Sequence, residues 1–161
     1  MTTHGELLGY FLRETVPPGL SPEETITRLR DQGAVISVSH PFDRLRKGAW
    51  READLKRITP LVDAVEVFNA RCLYAEDNAR ALEFARQHDL PGTAGSDAHT
   101  PLEYGRAALQ LPLFQNAAEF REALRHASVV GGLSPWYVHV GSTAAKWSKK
   151  LGLRPRLWAG G

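Results

Sequence analysis

Short apolar runs alternate along the chain with longer amphipathic segments. The apolar runs are rich in strand-forming residues, which predicts buried strands, whereas the amphipathic segments repeat apolar residues at helical spacing. Strands are predicted at residues 6–12, 34–38, 64–68, 93–95, 107–111 and 128–130, and helices at about 21–33, 52–58, 75–88, 117–125 and 134–150. Because short strands alternating with helices are typical of parallel βα units, the pattern predicts an α/β fold.

The clearest helix boundary lies after the first predicted strand. Ser21 suits the N-cap, Pro22 the first helical position and Glu24 the third, which together predict a capping box, and Gly33 suits the end of the helix. Near the other end of the chain, Ser134 is a candidate N-cap, which predicts a C-terminal helix followed by a loose tail. Residues 1–130 are therefore expected to form one domain unit, with the helix and tail in residues 131–161.

Polar side chains follow three of the predicted strands. His40 follows the second strand, Asn69 and Arg71 follow the third, and Asp97 with His99 follow the fourth. In folds built from parallel βα units, functional groups gather at the carboxyl ends of the strands. The sequence therefore predicts a site at this edge of the sheet.

Asp97 and His99 are two residues apart, so on an extended segment their side chains point the same way and can reach one metal site. The alternative is a loop aspartate that accepts backbone hydrogen bonds beside a surface histidine. For His40 the two interpretations are a metal ligand at a strand end and a histidine bonded to a backbone carbonyl.

Glu66 lies inside an apolar strand, where burial of a carboxylate is costly unless it is paired. It is expected either to face a metal or to pair with an arginine such as Arg71. Arg71 and Asn69 are candidates for binding a phosphate group, since a guanidinium can bind phosphate oxygens in a bidentate way. The alternative for Arg71 is an ion pair with Glu66 or with another acid.

Composition narrows the class of protein. The formal net charge of +2 is too small to imply nucleic acid by itself, although it suits an anionic substrate. The single cysteine, Cys72, cannot form an internal disulfide and predicts a buried thiol in a reducing, cytoplasmic compartment. No apolar run reaches the roughly 18–20 residues that span a bilayer, and the first residues have no signal-peptide pattern, so no membrane partner is expected.

The remaining histidines and the late aromatic residues are interpreted as structural. His88, His126 and His139 are predicted to lie on or near helices, away from the strand ends. Trp136, Tyr137 and Trp147 are expected to pack in a core or interface.

Three segments together resemble a known family. Residues 33–43 (GAVISVSHPFD), 64–71 (AVEVFNAR) and 94–99 (AGSDAH) resemble, in this order, three motifs of the PHP (polymerase and histidinol phosphatase) family of metal-dependent phosphoesterases. The resemblance covers about residues 4–125. It implies a partial, distorted (βα)7 barrel made of the family's C-terminal βα units.

The resemblance also implies a metal cluster and its ligands. Family members bind zinc, manganese or iron, and His40, Asp97 and His99 match ligand positions. Glu6 stands where many members have a ligand histidine, and His4 is a nearby substitute. The family's opening H-x-H motif is absent from these 161 residues.

By resemblance, the expected function is hydrolysis of a phosphate monoester, nucleotide or oligonucleotide. Asp97 and His99 would then be catalytic. The rival hypothesis is a non-catalytic remnant or interaction module that lacks the H-x-H ligands. Because a chain without that first half exposes residues 6–12 as an apolar edge, we also expect self-association or a complementary N-terminal half as a partner.

Overall fold

The computed structural model describes residues 1–46 and 49–135. Its strands are β1 (Leu7–Tyr10), β2 (Val35–Val38), β3 (Ala64–Asn69), β4 (Gly92–Gly95), β5 (Ala107–Gln110) and β6 (Ser128–Gly131). Its α-helices are α1 (Pro22–Asp31), α2 (Glu52–Ile58), α3 (Ala75–Gln87) and α4 (Ala117–Leu124), with short 3₁₀ helices at Thr59–Leu61 and Pro101–Glu103. Beyond Ser134, the predicted C-terminal helix, the tail, Trp136, Tyr137, His139 and Trp147 lie outside the described residues.

The strands form a mixed rather than a parallel arrangement. A four-stranded sheet has the order β1-β2-β3-β4, in which β2, β3 and β4 are parallel while β1 runs antiparallel to β2. β5 and β6 form a separate antiparallel pair. The α/β class is therefore confirmed, but the expectation of parallel strands was wrong for β1, β5 and β6, because an apolar run does not encode strand direction. The partial barrel stays a prediction.

Helices cover both faces of the sheet. Val65 and Val67 of β3 pack with α1, α2 and α3 in the main core cluster, whereas Val35 and Ala64 pack against Phe120 and Leu124 of α4. Alternation along β3 places Glu66 on the face opposite Val65 and Val67. The carboxylate therefore points away from the main core.

The predicted N-cap of α1 is confirmed, whereas among the described contacts Glu24 does not complete the predicted capping box. Ser21 is the N-cap, and its hydroxyl accepts a hydrogen bond from the Glu24 N–H at 3.1 Å. The Glu24 carboxylate binds Arg28 one turn later, at 2.9 Å, as an exposed ion pair.

β1 is an edge strand. It pairs with β2, and among the described residues no strand pairs with its other side. Its four residues are half-buried. Self-association through this edge stays a prediction. None of the helices in the described part of the chain is long and apolar enough to cross a membrane.

Asp63, just before β3, joins three elements. Its carboxylate accepts hydrogen bonds from Arg30 of α1 at 2.5 Å, from the Ile36 N–H of β2 at 2.8 Å and from Arg121 of α4 at 2.8 Å. Burial by itself would raise the pKa of Asp63, but these three donors lower the pKa below its usual value. The charged carboxylate is therefore the form that stabilises the fold.

We expect Asp63→Asn to lower the free energy of unfolding by about 2–3 kcal/mol, because it removes charged hydrogen bonds to an acceptor whose side chain is only 9 % exposed. Urea denaturation at neutral pH measures this. Glu52→Gln, which removes the exposed Glu52–Lys56 pair, is the control and should change stability by less than about 0.5 kcal/mol.

The folded pKa of Asp63 is depressed, so its contribution is present above the unfolded pKa of about 3.9 and is lost as the pH falls through the lower folded pKa. The difference between wild type and Asp63→Asn should therefore shrink in acid below about pH 4. A difference that stays constant into that range would contradict this account.

Candidate metal centre

A cleft of about 370 Å³ lies at the edge of the sheet where β2, β3 and β4 end. Its walls combine acidic, imidazole, hydroxyl, amide and guanidinium groups. The residues that line it are Glu6, Leu8, Ser39, His40, Arg46, Glu66, Asn69, Gly95, Asp97 and His99. Three strand-end segments that the sequence pointed to are thus brought together here.

The antiparallel direction of β1 explains how Glu6 reaches this edge. Leu7 pairs with Val38, and the Ser39 N–H donates to the Glu6 carbonyl oxygen at 3.0 Å. The amino end of β1 therefore lies beside the carboxyl end of β2. The Glu6 carboxylate comes within 3.3 Å of His40 Nε2.

Glu66 fixes the backbone at His40. Its Oε2 accepts hydrogen bonds from the His40 N–H at 2.7 Å, from Ser39 Oγ at 3.1 Å and from Asn69 Nδ2 at 3.3 Å. A Cβ at Gly95 would lie 2.7 Å from Glu66 Oε1, so this glycine leaves the room that the carboxylate needs. Burial raises the pKa of Glu66, and the donors around it offset part of that rise.

Two of the predicted ligands have left-handed backbones. The φ angle is 25° at His40 and 47° at Asp97, values that residues with a side chain adopt infrequently. Such conformations persist where surrounding contacts hold them, as Glu66 does at His40.

His99 is oriented by its own loop. Its Nδ1–H donates to the Asp97 carbonyl oxygen at 2.8 Å, because a carbonyl can only accept. In a neutral imidazole this tautomer places the lone pair on Nε2, the nitrogen suited to a metal. The Asp97 carboxylate lies 3.8 Å from Nδ1.

Glu103 is a supporting residue that the sequence interpretation missed. One carboxylate oxygen accepts from the N–H groups of His99 (3.0 Å) and Thr100 (2.8 Å) and from the Thr100 hydroxyl (2.9 Å). The other accepts from Arg71 at 2.8 Å. The segment Thr100-Pro101-Leu102-Glu103 has the capping-box pattern, and this pattern is the sequence signal that could have identified Glu103 as a supporting residue.

Arg71 is therefore in an ion pair with an acid other than Glu66. Its side chain is 7 % exposed and that of Glu103 is 0 % exposed. Arg71 is not among the residues that line the cleft, whereas Asn69 is. A phosphate-binding role for Arg71 would require it to leave this buried pair.

Arg46 enters the cleft instead. Its Nη2 forms an ion pair with Asp97 Oδ2, and its Nε donates to Asp43 Oδ2 at 3.2 Å. The i, i+3 spacing of Asp43 and Arg46, directly after His40-Pro41, was the sequence signal for this arginine.

The other candidates lie elsewhere. His4 bonds Thr3 Oγ1 at 2.9 Å and does not line the cleft. His88 packs on Phe84 with ring centroids 4.3 Å apart, and His126 is 3.7 Å from Glu122, so both are away from the strand ends. Cys72 is buried, and burial, followed by the nearby Asp43 carboxylate, raises its pKa to about 12. At neutral pH this thiol is almost entirely protonated and a poor nucleophile.

The donor chemistry fits a divalent cation. Two carboxylates and two imidazoles, from Glu6, His40, Asp97 and His99, face one cleft, and this nitrogen–oxygen set suits zinc, manganese or iron. Asp97 Oδ2 is buried and forms an ion pair with Arg46 Nη2, so a cation already lies against this oxygen. Within the described ranges, however, no three such side chains are already close enough to form one coordination group.

Comparison with known proteins gives both sequence and structural relatives. Residues 75–129 match the family model described as PHP-associated. The uncharacterized protein MJ0417 of Methanocaldococcus jannaschii is 39% identical over 112 residues, which are 68% of this chain and 47% of that protein. MJ1587 of the same organism is 46% identical over 71 residues, 44% of this chain and 39% of that protein. The chain thus spans less than half the length of these relatives.

Two solved structures are similar to the chain. PsfC from Pseudomonas syringae has a TM-score of 0.61 and 22% identity over 85% of this chain and 56% of its own, which supports the fold. A Bifidobacterium adolescentis protein named as a "putative metal-dependent phosphoesterase" has 30% identity and a TM-score of 0.46, over 53% of this chain and 30% of its own. With residues 75–129 matching the PHP-associated model, the resemblance of this chain to the PHP family is confirmed.

Proposed function

We propose that the cleft belongs to a metal-dependent phosphoesterase that acts on a phosphorylated small molecule or nucleotide. The observation that carries the proposal is the convergence of Glu6, His40, Asp97 and His99 on one cleft at the carboxyl edge of the parallel strands. The PHP-associated segment supports the same assignment.

The chain's own residues have separable roles in this proposal. Asp97, His99, His40 and Glu6 would hold the cation, which when bound lowers the pKa of a water and polarises the phosphate. Glu66 holds the His40 backbone, and Glu103 holds the backbone of His99. Asn69, whose Oδ1 accepts a hydrogen bond from the Arg71 N–H at 2.9 Å, lines the cleft.

Hydrolysis of p-nitrophenyl phosphate and its bis-ester by the 161-residue chain, with manganese or zinc, tests this function. We expect slow turnover that requires the metal and stops on addition of EDTA. Calorimetric titration of the same metals should show binding. Absence of both metal binding and metal-dependent turnover would reject the phosphoesterase assignment for this chain.

One observation favours a second candidate, a non-catalytic anion-binding or interaction module. Arg46 occupies the position beside Asp97 where a cation would lie, and no three-donor group is formed in the described part of the chain. Anion binding without metal-dependent turnover would support this candidate instead.

A further inference from the structure

Arg46 is held in the cleft by a buried acid. Asp43 is 5 % exposed, and while one of its oxygens accepts from Arg46 Nε, the other accepts from the Leu45 N–H at 3.0 Å. This carboxylate is fixed by its own turn, so it anchors one edge of the guanidinium. Nη2, the nitrogen next to Nε on the same edge, contacts Asp97 Oδ2, and the Arg46 side chain is part of the cleft wall.

The other arginines near this edge are engaged elsewhere. Arg71 is in the buried pair with Glu103. Arg44 binds Asp77 Oδ1 through Nε at 2.9 Å and through Nη2 at 2.6 Å, and its guanidinium lies 4.6 Å from the centre of the Tyr74 ring. Neither lines the cleft, whereas Arg46 does.

The contact between Arg46 and Asp97 can be exchanged. The Asp97 side chain is 23 % exposed and that of Arg46 is 29 % exposed, so both side chains are partly open to the cleft, although Asp97 Oδ2 itself is buried. A divalent cation and a guanidinium compete for the same carboxylate oxygen. When a cation takes Asp97, Asp43 still holds Arg46 Nε, and the Nη1 and Nη2 end of the guanidinium becomes available to an anion in the cleft.

We propose that Arg46 is the phosphate-recognising residue of this cleft, and that it passes from Asp97 to the substrate phosphate when a divalent cation binds Asp97. A guanidinium edge matches two phosphate oxygens, which a lysine ammonium cannot reproduce. The inference rests on the proposed function, since it names the residue that recognises the substrate of the same site.

Titration calorimetry with inorganic phosphate, with and without manganese, tests the proposal on the 161-residue chain. We expect Arg46→Gln to weaken phosphate binding by about tenfold or more, the loss typical of one charged hydrogen-bonded contact. The same variant should bind manganese at least as tightly as wild type, because the competing cation is gone. Arg46→Lys should restore part of the phosphate affinity.

Arg44→Gln is the matched control, because it removes an arginine–aspartate pair from the same loop but outside the cleft. It should leave phosphate binding unchanged. Circular dichroism shows whether each variant is folded. If Arg46→Gln does not fold, phosphate binding is measured with Arg46→Lys instead, since this variant keeps a cation beside Asp43 and Asp97.

Equal phosphate affinity in wild type and Arg46→Gln would overturn the proposal, as would an equal loss in Arg44→Gln. The two hypotheses fail in different ways. If Arg46→Gln hydrolyses phosphate esters with an unchanged KM, the role of Arg46 is rejected but the phosphoesterase function stands. If phosphate binding depends on Arg46 but the chain hydrolyses nothing, the role of Arg46 stands and the phosphoesterase function is rejected.

Discussion

Replacement of His99 by alanine is expected to lower metal-dependent turnover by roughly 100-fold or more, since loss of residues that merely support a metal ligand already costs about 10–100-fold. His99 is suited to direct ligation because its Nδ1–H is bonded to the Asp97 carbonyl oxygen, which leaves the lone pair of a neutral ring on Nε2. Removal of the ring takes away that donor and little packing, as its side chain is 36 % exposed.

Initial rates with manganese and calorimetric titration of manganese measure the two consequences together. His126→Ala is the matched control, because this histidine is 65 % exposed at the end of α4. It should behave as wild type. If His99→Ala and His126→Ala bind metal and turn over substrate equally well, His99 is not a ligand.

Replacement of Glu103 by glutamine is expected to lower the free energy of unfolding by about 3–5 kcal/mol, because it removes the carboxylate that pairs with the buried, charged Arg71. Both side chains of this pair are almost fully enclosed. Urea denaturation measures the loss. Glu122→Gln, at a carboxylate 71 % exposed, should be near neutral.

A second variant separates the charge from the hydrogen bonds. Arg71→Met with Glu103→Gln removes the buried guanidinium but keeps an amide oxygen for the N–H groups of His99 and Thr100. We expect it to recover part of the stability lost in Glu103→Gln. A double variant as unstable as the sum of both single changes would show that the pair is not the source of the loss.

The acid dependence of this pair has a definite sign. Burial would raise the pKa of Glu103, but hydrogen bonds from Thr100 and His99 and the charge of Arg71 lower it overall. The stabilisation is therefore present above the unfolded pKa of about 4.3 and is lost as the pH falls through the depressed folded value. The deficit of Glu103→Gln should diminish in the same acid range.

The sequence predicted the elements better than their contacts. Apolar runs bounded by glycine, proline or polar residues located every strand to within about two residues, because burial and chain-breaking residues act locally. Strand direction depends on how distant segments pair, and the antiparallel β1 was missed for that reason.

α3 shows the same limit for side chains. On α3 the apolar Ala79 and Leu82 are exposed, while the polar Asp77 and Asn78 are buried. Asn78 binds the backbone of Asn69 through both ends of its amide, at 3.0 and 3.1 Å. A buried polar residue is favourable only with a specific partner, which composition does not reveal.

The candidate site likewise has a part that the sequence predicted and a part that it did not. Placement of His40, Asn69, Asp97 and His99 at one edge followed from strand order. The pairing of Arg71 with Glu103, which is 32 residues away, could not be predicted in this way, because the sequence offers several acids as partners for Arg71. Arg46 was also overlooked, because its importance depends on where the loop after β2 carries it.

The left-handed backbones at His40 and Asp97 bear on the history of the protein. Each such conformation costs on the order of 1–3 kcal/mol for a residue with a side chain, and glycine would remove most of that cost. In a lineage selected for folding alone, a single substitution at either position would be an accessible gain. A chain that instead keeps an imidazole and a carboxylate there accepts lower stability where the two donors face the cleft. That trade is expected where the two donors serve to bind a ligand.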